Sequence, residues 1–194
     1  RAANVAKEDA VKELDGYFNS HSFYSATGKE AGDAMAYLKL TVNINDDESF
    51  KRIVNKPARG IGDTSLAALA AAAHNHETTL FKAVYESDLE TYGLKPAAVT
   101  RLRAFCDQIA KNSVRAAAED AWTVADAVLK DSGLWAFFKS DMSVDGQSRF
   151  ANIEELLNGI KLFIEERNAE YAEDMIAEEK IMSQDDLNDE DYPM

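Results

Sequence analysis

The sequence has little cysteine, proline or histidine, with one, three and three residues of each. A single thiol, Cys106, excludes an internal disulfide framework and any zinc cluster built from cysteines. It fits a reducing compartment, and we expect a cytoplasmic protein. No apolar run approaches the ~18 residues that a membrane-spanning helix needs, and the N-terminus lacks the apolar segment of a secretory signal. We therefore expect no membrane partner.

What the chain does contain favours helices. Hydrophobic residues make up 46% of its 194 residues, which is enough for one sizeable core. Ala, Leu, Glu and Lys are abundant, and no segment alternates polar and apolar residues as a strand would. The sequence predicts an all-α fold, a compact multi-helix domain. Apolar periodicity predicts helices over 1–20, 33–42, 47–54, 64–75, 79–85, 96–117, 121–131, 133–139 and 148–171. Residues 20–32 are expected to form a loop or an irregular entry to the next helix.

Charge divides the chain unevenly. The net charge is −14, but residues 165–194 hold twelve acids against Arg167 and Lys180, a net of −10. Residues 1–164 therefore carry only −4, so a surface that binds a polyanion is not excluded there. We expect an N-terminal helix over 1–21, a helical domain over 22–172 and a flexible acidic tail over 173–194.

The most informative segment is 50–66, where a predicted helix, a turn and a second helix read as a helix-hairpin-helix. Gly60 and Gly62 allow unusual backbone angles and close approach to a ligand, and Ile61 is expected to pin the turn between the two helices. Backbone amides at the start of the second helix favour an anion such as phosphate. Such a hairpin has no base-reading side chains, so it would contact the backbone without reading sequence. The residues expected to bind DNA are Lys51, Arg52, Lys56, Arg59, Gly60, Ile61, Gly62, Asp63 and Thr64.

Several stretches also resemble, in order, the 2B subdomain of UvrD/Rep/PcrA-type superfamily 1A DNA helicases. Residues 33–40 match its D-x-x-A-Y-L-x-L helix, and residues 52–62 match its R-I-x-N-x-P-x-R-G-I-G hairpin. Between them lies a similar N-x-x-D-D break at 43–47. Residues 132–134 and 148–156 are similar to the later S-G-L and S/T-R-x-x-N-x-x-E-L segments.

The resemblance implies an accessory domain inserted in a helicase motor domain. It implies that the Gly-Ile-Gly hairpin contacts double-stranded DNA near the fork, and that motor domains of the same parent chain are its other partners. ATP and Mg would belong to that parent; we expect no cofactor in this chain, no catalytic residue, no metal, and a monomer. The alternative is a protein-interaction or autoinhibitory module whose acidic helices dock on a motor or repair partner.

Three further signals are weak. Thr27-Gly28-Lys29 lacks the first glycine and the Ser/Thr of a phosphate loop, and Glu30 would repel a phosphate. His74 and His76 point in different directions on a helix, so they do not suit one metal. Gly93-Leu94-Lys95-Pro96, followed by Arg101 and Arg103, hints at a second hairpin but lacks its second glycine.

Overall fold

A computed structural model of the chain describes residues 23–188, so the helix predicted over 1–20 lies outside the described residues. Within that range the protein is all-α, as the sequence predicted. The helices are α1 (Phe23–Val42), α2 (Asp47–Ile53), α3 (Asp63–Asn75), α4 (Leu80–Glu86), α5 (Pro96–Ala118), α6 (Ala121–Asp131), α7 (Leu134–Ser140) and α8 (Val144–Asn188), with a 3₁₀ helix at Leu89–Tyr92 between α4 and α5.

Two helices are longer than predicted. Residues 23–32, expected to form a loop or an irregular helix entry, are the first half of α1. Helix α8 does not end near residue 171 but continues to Asn188, so residues 173–188 of the expected flexible tail are helical and 189–194 lie outside the described part. Each stretch continues a helix that packs against the core, and this continuation outweighs the glycines of α1 and the charge of α8.

Helix α1 forms the centre of the fold and packs against α2, α5, α6 and α8. Its residues Met35, Tyr37 and Leu40 are at most 1% exposed. The Phe105 ring of α5 lies 6.4 Å from the Tyr37 ring and 5.3 Å from the Phe50 ring of α2, both edge to face. Burial of each such side chain contributes about 1.5–3 kcal/mol to stability. This aromatic cluster lies next to the segment that joins α2 to α3.

The helices on either side of that segment pack mainly against other parts of the fold. Helix α2 rests on α1 and α4, whereas α3 rests on α4 and the 3₁₀ helix. The segment between them is therefore held by the surrounding core more than by its own two helices. None of the described helices combines the length and the apolar character that crossing a membrane requires.

Candidate functional site

The Gly-Ile-Gly loop, residues 55–62, is shaped by one side chain. The amide oxygen of Asn55 accepts hydrogen bonds from the backbone N–H of Arg59 (2.7 Å) and of Ile61 (3.2 Å). Gly60 has φ +71°, a left-handed conformation that strains other residues. Ile61 is 2% exposed, so its side chain anchors the loop in the core.

The start of α3 offers unused donors. Gly62 is the N-cap residue of this 13-residue helix and supplies no side-chain cap. Among the described residues, we find no acceptor for the amides of Asp63, Thr64 and Ser65. Gly62, Asp63 and Thr64 are exposed, and a Cβ added to Gly62 would meet no atom within 4 Å. The first turn of α3 therefore faces open space with donors that an anion can take up.

Arg59, predicted to grip phosphate, points into the protein. Its guanidinium donates to the hydroxyl of Tyr37 and to the carbonyl of Ser132, both at 2.8 Å, and to the carbonyl of Pro57 at 3.1 Å. It also lies over the Phe105 ring, 5.3 Å from its centre. Arg59 thereby joins the loop to α1, α5 and the end of α6, which is a supporting role.

Tyr37 completes this support from below. Its hydroxyl donates to the carbonyl of Lys56 while accepting from Arg59. Burial raises the pKa of Tyr37 to about 12, partly offset by the nearby Arg59 charge. The tyrosine is therefore neutral at physiological pH, and its proton is available for the bond to the loop.

The other predicted cations already have carboxylate partners. Asp33 of α1 accepts from Arg52 Nε at 2.8 Å and from Lys56 Nζ at 3.0 Å, and Lys51 Nζ lies 2.8 Å from Glu48. The run from Lys51 to Gly62 contains no acid in sequence, but the fold brings Asp33 to it from 19 positions before Arg52. The Lys51–Glu48 pair is exposed and contributes about 0–1 kcal/mol. Asp33 is only 7% exposed, so its carboxylate depends on Arg52 and Lys56 more than an exposed carboxylate would.

The first turn of α3, which carries the free amides, also carries the negative charge of Asp63. Asp63 is the first residue of α3 and is exposed, so its carboxylate lies close to the donors it would share with a phosphate. A carboxylate in a first helical turn stabilises the helix by about 0.3–1 kcal/mol through the helix dipole. It also repels an incoming anion, so Asp63 contributes its backbone amide to such a site but not its side chain.

Nothing in the hairpin segment of the sequence indicates that Arg101 lies at the loop. The fold brings this exposed residue of α5 across from Gly60, where its Nη1 lies 3.5 Å from the Gly60 carbonyl oxygen. The signal that could have indicated it was the Gly93–Arg103 segment, set aside because it lacked a second glycine. That segment forms the turn into α5, with Gly93 at φ +90° and Pro96 in the first turn.

The signals judged weak in the sequence remain without a functional arrangement. Residues 27–30 lie inside α1, so they form no phosphate loop. His74 and His76 are exposed, and no cluster of three or more His, Cys, Asp or Glu able to hold a metal is found in residues 23–188. Cys106 is fully buried, and burial raises its thiol pKa, so it is an unreactive core residue.

Residues 17–191 match the family described as UvrD-like helicase C-terminal domain. Over 135 residues, the chain is 35% identical to DNA helicase II of Escherichia coli, covering 70% of this chain and 19% of that protein. It is 34% identical to DNA helicase II of Haemophilus influenzae over 77% of this chain and 20% of that protein. The ATP-dependent DNA helicase PcrA of Bacillus subtilis is 33% identical over 70% of this chain and 18% of its own length. The chain thus spans about a fifth of the curated relatives it matches.

Proposed function

The chain belongs to the UvrD-like helicase C-terminal domain family, and from that premise we propose that it is a duplex-DNA-binding accessory domain of an ATP-dependent DNA helicase. The contact is to the phosphate backbone and is independent of sequence. The observation that carries the proposal is the uncapped first turn of α3, with exposed amides at Asp63 and Thr64 and open space at Gly62. The names of the relatives, DNA helicases, supply the ligand class.

Each residue of the predicted DNA-binding set has a role in this proposal. The amides of Asp63 and Thr64 bind a phosphate oxygen, and Gly62 lets the strand approach them. Gly60 and Ile61 set the shape of the loop, which Arg59 supports from the protein side. Lys51, Arg52 and Lys56, whose side chains are 41–47% exposed, attract the strand electrostatically.

ATP and Mg belong to the motor domains of the parent, which we propose as the second partner of this domain. Rotation of the domain relative to the motor would then bring the loop to the duplex ahead of the fork or withdraw it. Nothing in the proposed contact needs chemistry by the domain itself, since binding to phosphate requires only donors, cations and access.

The test exploits the open space at Gly62. Its backbone angles, φ −89° and ψ 178°, suit any residue, so Gly62→Val should fold normally. The added side chain would stand between the amides and a phosphate. We expect duplex affinity to fall by at least about tenfold, the loss of one charge-assisted hydrogen bond of about 1.5–3 kcal/mol. Fluorescence anisotropy with a labelled duplex measures it.

Ala117→Val, at an exposed position near the end of α5, is the matched control because it makes a similar enlargement away from the loop. The Ala117→Val variant should bind duplex as tightly as the unmutated protein does. Thermal unfolding followed by circular dichroism checks that both variants fold. The proposal would be overturned if Gly62→Val bound duplex as tightly as the unmutated protein. It would also be overturned if the unmutated 194-residue protein bound no duplex at low salt.

A second role is supported by the exposed apolar residues on the acidic part of α8. Met175 and Ile176 are 71% and 53% exposed on a helix rich in glutamate. Apolar side chains among like charges suit docking on a basic partner surface such as a helicase motor or repair protein. Calorimetric titration of the parent motor domains with the chain and with its Met175→Asp variant tests this role. Equal affinities would argue against it.

A further inference from the structure

We infer that Arg101 of α5 binds a second phosphate of the duplex, next to the one held by the amides of α3. The inference rests on the proposed duplex contact and adds a residue to it. Arg101 lies outside the hairpin segment and reaches the loop only through the fold.

Arg101 differs from the nearby cations in having few polar partners. Lys51, Arg52 and Lys56 are each paired with a carboxylate, and Arg59 is directed into the core. Arg101 is different, because in the described part of the chain its only polar contact is a marginal one, 3.5 Å from the Gly60 carbonyl. A guanidinium with five donors and one weak acceptor retains most of its capacity for an oxyanion.

Arg101 also lies in a groove whose lining is positively charged. It lines a groove of about 310 Å³ together with Arg59, Ala104, Phe105 and Gln108. This lining contains two guanidinium groups and no carboxylate, in a chain whose net charge is −14. A groove with this composition attracts anions locally although the protein as a whole repels them.

Arg101 also lies close to the Gly-Ile-Gly loop. A Cβ built on Gly60 would lie 2.7 Å from Arg101 Nη1, so the guanidinium touches the turn that leads into the free amides. Under this inference, a strand whose phosphate binds at α3 runs along that turn, which brings a neighbouring phosphate to Arg101. Arg101 can swing from the Gly60 carbonyl to a neighbouring phosphate without breaking an ion pair.

The effect of Arg101 should be electrostatic and therefore depend on salt. One lost phosphate contact lowers the slope of log affinity against log salt concentration by about 0.9. Taking the two affinities as equal at ~1 M salt, that slope makes Arg101→Ala weaken duplex binding about fifteenfold at ~50 mM salt and about fourfold at ~200 mM. Arg101→Lys keeps the charge and should recover most of the slope, though not the bidentate contact.

The experiment measures duplex affinity of the 194-residue chain across a salt series by anisotropy. Lys161→Ala is the control, because it removes one positive charge from an exposed position of α8 and should leave the slope unchanged. The same series with a single strand of equal length separates duplex from single-strand phosphate. A single-strand slope that falls as much as the duplex slope would overturn the assignment to duplex.

The possible failures are distinguishable. If the chain binds duplex in a way that Gly62→Val weakens, yet Arg101→Ala keeps the full slope, the inference about Arg101 is wrong and the proposed function stands. An equal loss of slope in Lys161→Ala would also overturn it, since the effect would then be one of net charge. If the unmutated 194-residue protein binds no duplex, the proposed function and the inference about Arg101 fail together.

Discussion

The guanidinium Nη2 of Arg59 lies 2.8 Å from the carbonyl oxygen of Ser132, a residue 73 positions later in the chain. The same nitrogen lies 2.8 Å from the hydroxyl of Tyr37. Gly133, next to Ser132, approaches Pro57 so closely that an added Cβ would lie 3.6 Å from the proline ring. Three segments that are distant in sequence thus meet under the Gly-Ile-Gly loop, and their first contribution is to its shape.

Arg59 should therefore matter for folding before it matters for binding. We expect Arg59→Ala to lower the free energy of unfolding by about 2–3 kcal/mol, because it leaves the Ser132 carbonyl and the Tyr37 hydroxyl without their donor. Tyr37→Phe, which keeps the ring, should cost about 1 kcal/mol. Urea denaturation measures both.

Arg103→Ala is the control for that measurement, since Arg103 is exposed on α5 and should change stability by less than about 0.5 kcal/mol. If Arg59→Ala were as stable as the unmutated protein, the hydrogen bonds of Arg59 would contribute nothing to the free energy of unfolding. It would also return Arg59 to the set of candidate phosphate ligands.

The two glycines of the loop should respond differently to alanine. Gly60→Ala places a Cβ on a residue with φ +71° and against the Arg101 side chain, so we expect a loss of about 1–2 kcal/mol of stability. Gly62→Ala has ordinary backbone angles and open space. Its lower chain entropy in the unfolded state and its poorer N-cap should nearly cancel, within about 0.5 kcal/mol. Equal losses at the two positions in thermal unfolding would contradict this reading of the loop.

The Asp63 carboxylate should oppose the proposed contact. Asp63→Asn keeps the backbone amide and the side-chain shape but removes a negative charge beside the free donors. We expect duplex affinity to rise a few-fold at low salt, roughly 0.5–1 kcal/mol, and the gain to shrink as salt screens the charge. Anisotropy titrations at two salt concentrations measure it. Unchanged or weaker binding would place the phosphate away from the first turn of α3.

Tyr37 should make stability depend on pH in the alkaline range. Its pKa is raised from 10.0 to about 12 by burial, so the unfolded chain loses this proton first. Stability from this group is complete below pH 10 and is lost as the pH rises to about 12, by at most about 2–3 kcal/mol. Tyr37→Phe should remove that part of the decline. Because Tyr85 also has a raised pKa, the difference between the two proteins in alkaline denaturation is the quantity to compare.

Local patterns predicted the fold well where they had a single explanation. Helices α5 and α6 begin and end within a residue or so of the prediction, since Pro96 and the side-chain cap from Asp120 mark their starts. Residues 23–32 were misread because their glycines suggested a loop. In the fold Gly32 lies inside α1, where a Cβ would strike Arg52, so the small residue serves a helix contact that sequence alone does not display.

The sequence predicts which segment carries the candidate site, but it does not predict how the cations of that segment are paired. A run of basic residues around a glycine turn indicates an anion site, and nothing local reveals that Asp33 will neutralise two of them. The inward course of Arg59 depends on Ser132 and Phe105, and the role of Arg101 on the approach of α5. These are long-range contacts, which a motif records only as residues of unexplained identity.

The open space at Gly62 implies that two kinds of selection should disagree about this position. A library screened only for abundance of folded protein should accept most side chains there, because a Cβ at this position meets no atom within 4 Å and the backbone angles suit any residue. A library screened for duplex binding should, under the proposed function, accept few of them. At Gly60 the two screens should agree, so comparing the two tolerance profiles would separate what the fold requires from what the ligand requires.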